Sequence, residues 1–150
     1  MPQTRKCDAL FVYGSLQIPG IAEIVGGGPF ISEPCVLPGY RRRRIRGRTW
    51  PGIRPDAEES TAGLLLRDVS EAQLEVFDLF EGDTYERRIV RVRMRDLAEE
   101  EVDAFAYVVR ESLADYMSEE SWRQKWFEEN VLEDFTERCR VFRSEIDRSI

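Results

Sequence analysis

The chain has 150 residues, 42% of them hydrophobic and 11% aromatic, which suits one domain over residues 1–150 and leaves a second domain no room. Its formal charge of −7 argues against broad nucleic-acid binding, and the absence of histidine removes Ser-His-Asp and Cys-His catalysis together with the commonest transition-metal ligand. Cys7, Cys35 and Cys139 form no C-x-x-C pair, no apolar run nears the roughly 20 residues of a membrane span, and no secretory leader opens the chain, so a soluble cytoplasmic protein with free thiols and no zinc site is expected.

Residues 10–13 read as a short buried strand that runs straight into Gly14. The turn offers backbone: without a Cβ, Gly14 can take a left-handed or otherwise crowded conformation, letting the amides of Gly14, Ser15 and Leu16 face one concavity. A loop marked by Pro19, Gly20, Gly26 and Pro29 follows, enclosing a short helical stretch around residues 21–25. Strand character returns at 35–37 and 40–49, is punctuated by Trp50-Pro-Gly-Ile-Arg-Pro55, and resumes at 61–67. Strand alternation sets Arg42, Arg44, Arg46 and Arg48 on one face and Arg41, Arg43, Ile45 and Thr49 on the other. The expectation is a solvated, ion-paired strand face, ahead of a patch for an anionic ligand or nucleic acid.

Ser70-Glu-Ala-Gln73 has the form of a capping box, so a helix should begin there and run to about Glu81, where Gly82 can end it. At about 100° per residue, Leu74, Phe77, Asp78 and Glu81 share one side, which places the Glu81 carboxyl on an apolar stripe. Desolvation and the negative end of the helix dipole both push its pKa upward, the direction a general acid or base near neutral pH requires.

Val90, Val92 and Met94 alternate with Arg91, Arg93 and Arg95, a strand with one wet face. The acidic residues 96–101 read as a turn, and 102–110 as a second strand with Phe105, Tyr107 and Val109 on one face and Ala104 and Ala106 on the other, completing a hairpin. A helix over 119–146, capped by Ser118, carries Phe127, Val131, Phe135, Cys139, Phe142 and Ile146 at steps of three or four. That stripe reads as core, with Trp122 and Trp126 docking the helix onto the sheet.

Several of these segments carry a resemblance. Phe-Val-Tyr-Gly-Ser-Leu at 11–16, Pro38-Gly-Tyr40, Pro51-Gly-Ile53, Gly63-Leu-Leu65, Leu79-Phe-Glu-Gly-x-x-Tyr-x-Arg87 and Ala106-Tyr-Val108 stand in an order similar to that of the gamma-glutamylcyclotransferase-like superfamily. Over about residues 8–110 the chain resembles its AIG2-like branch, and the Trp-containing C-terminal helix resembles that branch too. The resemblance implies an α+β fold, a small mixed β-barrel flanked by helices with a cavity at one end and a long C-terminal helix. It also implies a reaction: cyclisation of a gamma-glutamyl amine or gamma-glutamyl amino acid to 5-oxoproline, with release of the free amine.

Carried onto matching positions, Glu81 is the catalytic acid/base, Tyr13, Gly14, Ser15 and Leu16 form the substrate-binding turn, and Tyr85 and Tyr107 line the pocket. The reaction needs no metal and no cofactor; the implied partner is a small gamma-glutamyl substrate, with neither membrane nor nucleic acid involved and the oligomeric state left open. Trp50 stands where the branch often has Tyr, which would reshape the pocket mouth. Ser15 reads as turn chemistry because no histidine can activate it as a nucleophile, and Arg87 as an ion-pair residue locking the segment after Glu81. Asp78 is the alternative proton shuttle, though its position better suits a structural partner for arginine. The alternatives to the cyclotransferase are a binding or stress-response interaction module that turns nothing over, and a related gamma-glutamyl acyltransferase.

Overall fold

A computed structural model describes residues 7–95 and 100–149. Its strands are β1 (Leu10–Val12), β2 (Ser32–Arg44), β3 (Pro51–Leu66), β4 (Tyr85–Met94) and β5 (Glu101–Val109), closed into a barrel in the order β1-β3-β2-β4-β5. β1 lies antiparallel to β3, with Phe11 opposite Leu65, and parallel to β5, so the barrel is mixed. Helices α1 (Ile21–Gly26), α2 (Glu71–Glu81), α3 (Gln124–Asn130) and α4 (Leu132–Arg148) pack outside it. None of the described helices is long and apolar enough to cross a membrane.

Strand alternation sorts the apolar side chains into two cores. Phe11, Leu37, Ile53, Leu65, Val92, Ala104, Ala106 and Val108 form one that contains strand residues but none from a helix, which identifies it as the barrel interior. Leu10, Val12, Tyr107 and Val109, of opposite parity on the same strands, join Ile21, Leu74, Phe77, Phe127, Phe135 and Cys139 between barrel wall and helices. The small alanines of β5 therefore face a narrow interior, while its aromatics face outward to the helices.

Three expectations need correction. The prolines of residues 50–55 do not break the chain: Pro51 opens the 16-residue β3, and Pro55 pairs with Tyr40 beside a register shift, where a missing N–H is tolerated. β2 is likewise continuous through Pro38 but stops at Arg44, since Ile45 makes only an isolated bridge to Met117, and the expected strand to residue 49 does not form. Of the acidic turn, residues 96–99 lie outside the described residues, and Glu101 already belongs to β5.

The third correction concerns the single C-terminal helix. Backbone groups of residues 116–120 are taken by the end of β2: Arg46 N–H donates to Tyr116 O, Ser118 N–H to Arg44 O and Arg44 N–H to Glu120 O, at 2.8–2.9 Å. Ser118 is therefore no helix cap, and its hydroxyl also donates to Arg44 O. Trp122 precedes the helices and donates from its indole to Thr49 O at 2.8 Å. The helix then forms in two pieces around Val131, whose φ of −128° departs from helical geometry.

Phe127 of α3 is fully buried between Trp122 and Phe135, with ring centroids 5.8 and 5.3 Å away. Replacing it with alanine should lower the unfolding free energy by about 3–5 kcal/mol. Urea unfolding reads this as a lower midpoint at unchanged m-value, and a loss below about 1 kcal/mol would show that the docking is held elsewhere.

Candidate active site

β1 ends at Val12, and the chain leaves the barrel through Tyr13 into a 3-10 turn over Ser15–Gln17. The Tyr13 carbonyl accepts from Arg42 Nη1 at 2.7 Å and from Gln17 Nε2 at 2.9 Å, which pins that peptide plane. Gly14 is not left-handed, as its φ is −127°. Glycine is required there for space, because a Cβ would lie 2.9 Å from Pro51 Cγ.

The second segment is α2, opened by a complete capping box between Ser70 and Gln73 and ended by Gly82 at φ 70°. Leu74 and Phe77 bury its apolar stripe, and the two acids on that side meet different fates. Asp78 accepts from the Tyr107 hydroxyl at 2.8 Å and pairs with Arg87 Nε at 3.0 Å. Glu81, one turn later, has neither a hydrogen-bond nor an ion-pair partner among the described residues. No fully buried side-chain oxygen there lacks a partner, so its carboxyl retains contact with the cavity it lines. Burial raises its pKa from 4.5 to about 8.

That cavity has a volume of about 330 Å³ and brings Tyr13, Gly14, Ser15, Leu16, Glu81, Tyr85 and Tyr107 onto one wall system. The tyrosine hydroxyls spend their protons on structure: Tyr13 donates to Tyr107 O at 2.5 Å, Tyr85 to Pro51 O at 2.7 Å and Tyr107 to Asp78. All three pKa values are raised, first by burial and then by neighbours that include the Glu81 charge for Tyr13 and Tyr85 and the Asp78 hydrogen bond for Tyr107. The rings thus wall the cavity as neutral phenols whose free capacity is to accept hydrogen bonds.

Trp50, expected at the pocket mouth, does line the cavity, but much of the remaining lining escaped sequence reasoning: Phe135, Arg138, Cys139 and Phe142 of α4, Phe80 of α2, and Thr84. A stripe at steps of three or four signals burial without saying whether the buried face meets solid core or a cavity rim. Arg138, off that stripe, carried no sequence signal of its own.

The arginine run divides by face. Arg41 and Arg43 pair with Asp56 and Glu59 at 3.9 and 2.7 Å, the ion-paired face expected of the strand. Arg42 and Arg44 instead stack over Trp122 and Trp126, at 5.5 and 4.9 Å from the ring centroids, and Arg42 props the Tyr13 turn. Arg46 and Arg48 lie beyond the strand's end and do not extend that stripe. Among the described residues no group of three or more His, Cys, Asp or Glu is gathered as a metal site would require.

The site is thus a small closed mixed barrel with a pinned glycine turn and an unpaired carboxyl of raised pKa on one cavity. Residues 10–124 match the family model described as gamma-glutamyl cyclotransferase, AIG2-like, and the chain belongs to that family. AIG2-like protein C of Arabidopsis thaliana is 33% identical over 119 residues, 77% of this chain and 69% of the relative. The solution structure of another Arabidopsis thaliana protein superposes with a TM-score of 0.69 at 28% identity, covering 99% of this chain and 87% of that one. A structure titled gamma-glutamyl cyclotransferase shares the fold at a TM-score of 0.60 and 14% identity, over 89% of this chain and 86% of its own.

The Glu81 environment makes stability depend on pH. Its folded value of about 8 exceeds the ordinary 4.5, so between those limits the unfolded chain holds fewer protons than the folded one. The stabilising contribution is full below about pH 4.5 and is lost as pH rises towards 8. Glu81→Gln, near neutral in effect at about pH 5, should therefore stabilise the fold increasingly up to about pH 8 and level off above. Denaturant unfolding at both pH values checks this; an equal difference at the two would mean the carboxyl is not desolvated.

Proposed function

We propose that the protein cyclises a gamma-glutamyl amine or gamma-glutamyl amino acid to 5-oxoproline and releases the free amine, with Glu81 as general acid/base. The observation that carries this reading is the unpaired Glu81 carboxyl, raised to about 8, on the same cavity as the Tyr13 to Leu16 turn. Membership of the gamma-glutamyl cyclotransferase, AIG2-like family supports it.

The substrate's own α-amino nitrogen attacks its γ-carbonyl carbon. A ring C–N bond forms, the carbonyl becomes a tetrahedral oxyanion, and its collapse breaks the original amide C–N bond. Glu81 takes the proton released by the attacking amine and returns it to the departing one, so no covalent residue is required. A pKa near 8 suits both transfers, since the group must accept and donate near neutral pH.

The turn supplies the anion contacts. In a planar trans peptide the N–H points opposite to the C=O, so with the Tyr13 carbonyl held by Arg42 and Gln17 the Gly14 amide faces away from them. Amides of Gly14, Ser15 and Leu16 on the cavity wall hold the substrate's α-carboxylate or the oxyanion. Fixing nucleophile and carbonyl in one small cavity supplies further acceleration, because well-oriented intramolecular reactions reach effective molarities of about 10⁵ M or more.

A panel of gamma-glutamyl compounds assayed for 5-oxoproline tests the class, and failure across the panel would favour a binding module. With a turned-over substrate, Glu81→Gln should lower kcat/KM by about 10²–10⁴-fold, since an amide accepts no proton; an active variant would shift the role to Asp78. In the parent, kcat/KM should rise about tenfold per pH unit and flatten near pH 8, as ionised Glu81 accumulates. Acetylating the substrate's α-amine should end turnover while the compound still competes for binding. Glutamate released from it would indicate hydrolysis, and transfer to an added amine an acyltransferase.

A further inference from the structure

Two charged side chains line the cavity, Glu81 and Arg138, and only the first is used above. Arg138 projects from α4 between the helix's buried anchors, Phe135 and Cys139, so its backbone is fixed while the residue itself is exposed at the cavity rim. Its guanidinium lies 6.0 Å from the Trp50 ring, and Arg48 approaches the same ring at 5.7 Å. Trp50 lines the cavity, so both cations lie against one of its wall residues, and Arg138 lines the cavity as well.

Neither guanidinium has a hydrogen bond or ion pair to a described residue, although the chain carries 29 acidic residues against 22 basic ones. By contrast, Arg41, Arg43 and Arg87 are met by carboxylates, and Arg143 by Asp147 and the Val25 carbonyl. Arg138 thus presents a planar fork of donors, suited to a carboxylate, over the Trp50 ring and with no protein acceptor among the described residues.

The direction in which a substrate would lie decides what meets it. The glutamyl end must reach Glu81 and the turn amides, which already provide for its own α-carboxylate. The leaving amine then extends outward past Trp50. We propose that Arg138, assisted by Arg48, is a specificity-determining residue that binds a carboxylate carried by the leaving amine. The favoured substrates are then gamma-glutamyl derivatives of α-amino acids rather than of simple alkylamines. This assignment rests on the cyclotransferase reading for its chemistry and on the rim geometry for its selectivity.

Gamma-glutamyl-alanine and gamma-glutamyl-ethylamine differ by that single carboxylate, and both should be compared with the parent, Arg138→Gln and Arg138→Glu. The parent should favour the alanine compound by about tenfold in kcat/KM, expressed mainly in KM, as expected for one exposed charge-assisted contact. The ratio should fall towards one in Arg138→Gln, invert in Arg138→Glu, and shrink with added salt in the parent. An unchanged ratio, or an equal loss on both compounds, overturns the assignment; equal loss would mean that Arg138 serves the glutamyl end. If the parent yields 5-oxoproline from neither, the wider panel decides the cyclotransferase reading, and calorimetric titration of both compounds judges Arg138 separately. Tighter binding of the alanine compound, abolished in Arg138→Gln, upholds its role, and equal or absent binding overturns it.

Discussion

Closure of a five-strand barrel is the constraint from which the rest follows. A cylinder that narrow accepts few large side chains, and the interior combines Phe11, stacked on Tyr13 at 5.9 Å, with Ala104 and Ala106. Every strand residue of the other parity must then find cover outside, which is what the helices supply. β1 is only three residues long and buried on both faces, so the chain emerges from it at the barrel's end with little freedom of position. The Gly14 turn inherits its place from that exit, from contact with Pro51 and from the two donors on the Tyr13 carbonyl.

The same closure fixes α2 against β4 and β5, and three residues of helix separate two opposite electrostatic outcomes. Asp78 reaches Tyr107 on β5 and Arg87 on β4 and is held as a strut. Glu81 occupies the last turn, on the cavity it shares with Tyr85 of β4 and Tyr107 of β5, and takes no hydrogen bond or ion pair from a described residue. Pairing there would pull its pKa back down; among the described residues no cation pairs with it, and burial keeps the proton available towards neutral pH. Burying that carboxyl opposes stability at neutral pH, and the strut one turn earlier is part of what holds it in place.

Legibility in the sequence followed locality. The capping box, the Gly82 stop and the wet face of β4 are written within a few residues and could be read directly. Glu81 stood out because helical periodicity placed an acid on an apolar stripe, and the Tyr13 to Leu16 turn because a glycine closes an apolar run. What was not legible was set by distant partners. Pro51 and Pro55 look like breakers until the pairing of β3 with β2 places them at a strand start and beside a bulge. Residues 116–120 follow the end of β2 because its peptide groups are free to bond them, a fact that no local pattern carries. Alternation groups Arg42 with Arg44, Arg46 and Arg48, whereas the strand ends at Arg44 and leaves only Arg42 and Arg44 on that face, over Trp122 and Trp126.

The composition of the cavity wall narrows the chemistry further than its shape does. Six ionisable side chains line it: Tyr13, Glu81, Tyr85, Tyr107, Arg138 and Cys139. Burial moves the three phenols upward and the Cys139 thiol to about 11, away from the pH at which they could exchange protons with a substrate. The same desolvation moves Glu81 from 4.5 to about 8, towards that range. One physical cause thus silences four groups and tunes a fifth, because desolvation always favours the neutral form and only the carboxyl starts below neutrality. In a chain without histidine, burial thus makes Glu81 the one ionisable group among the described cavity-lining residues that it carries towards neutral pH.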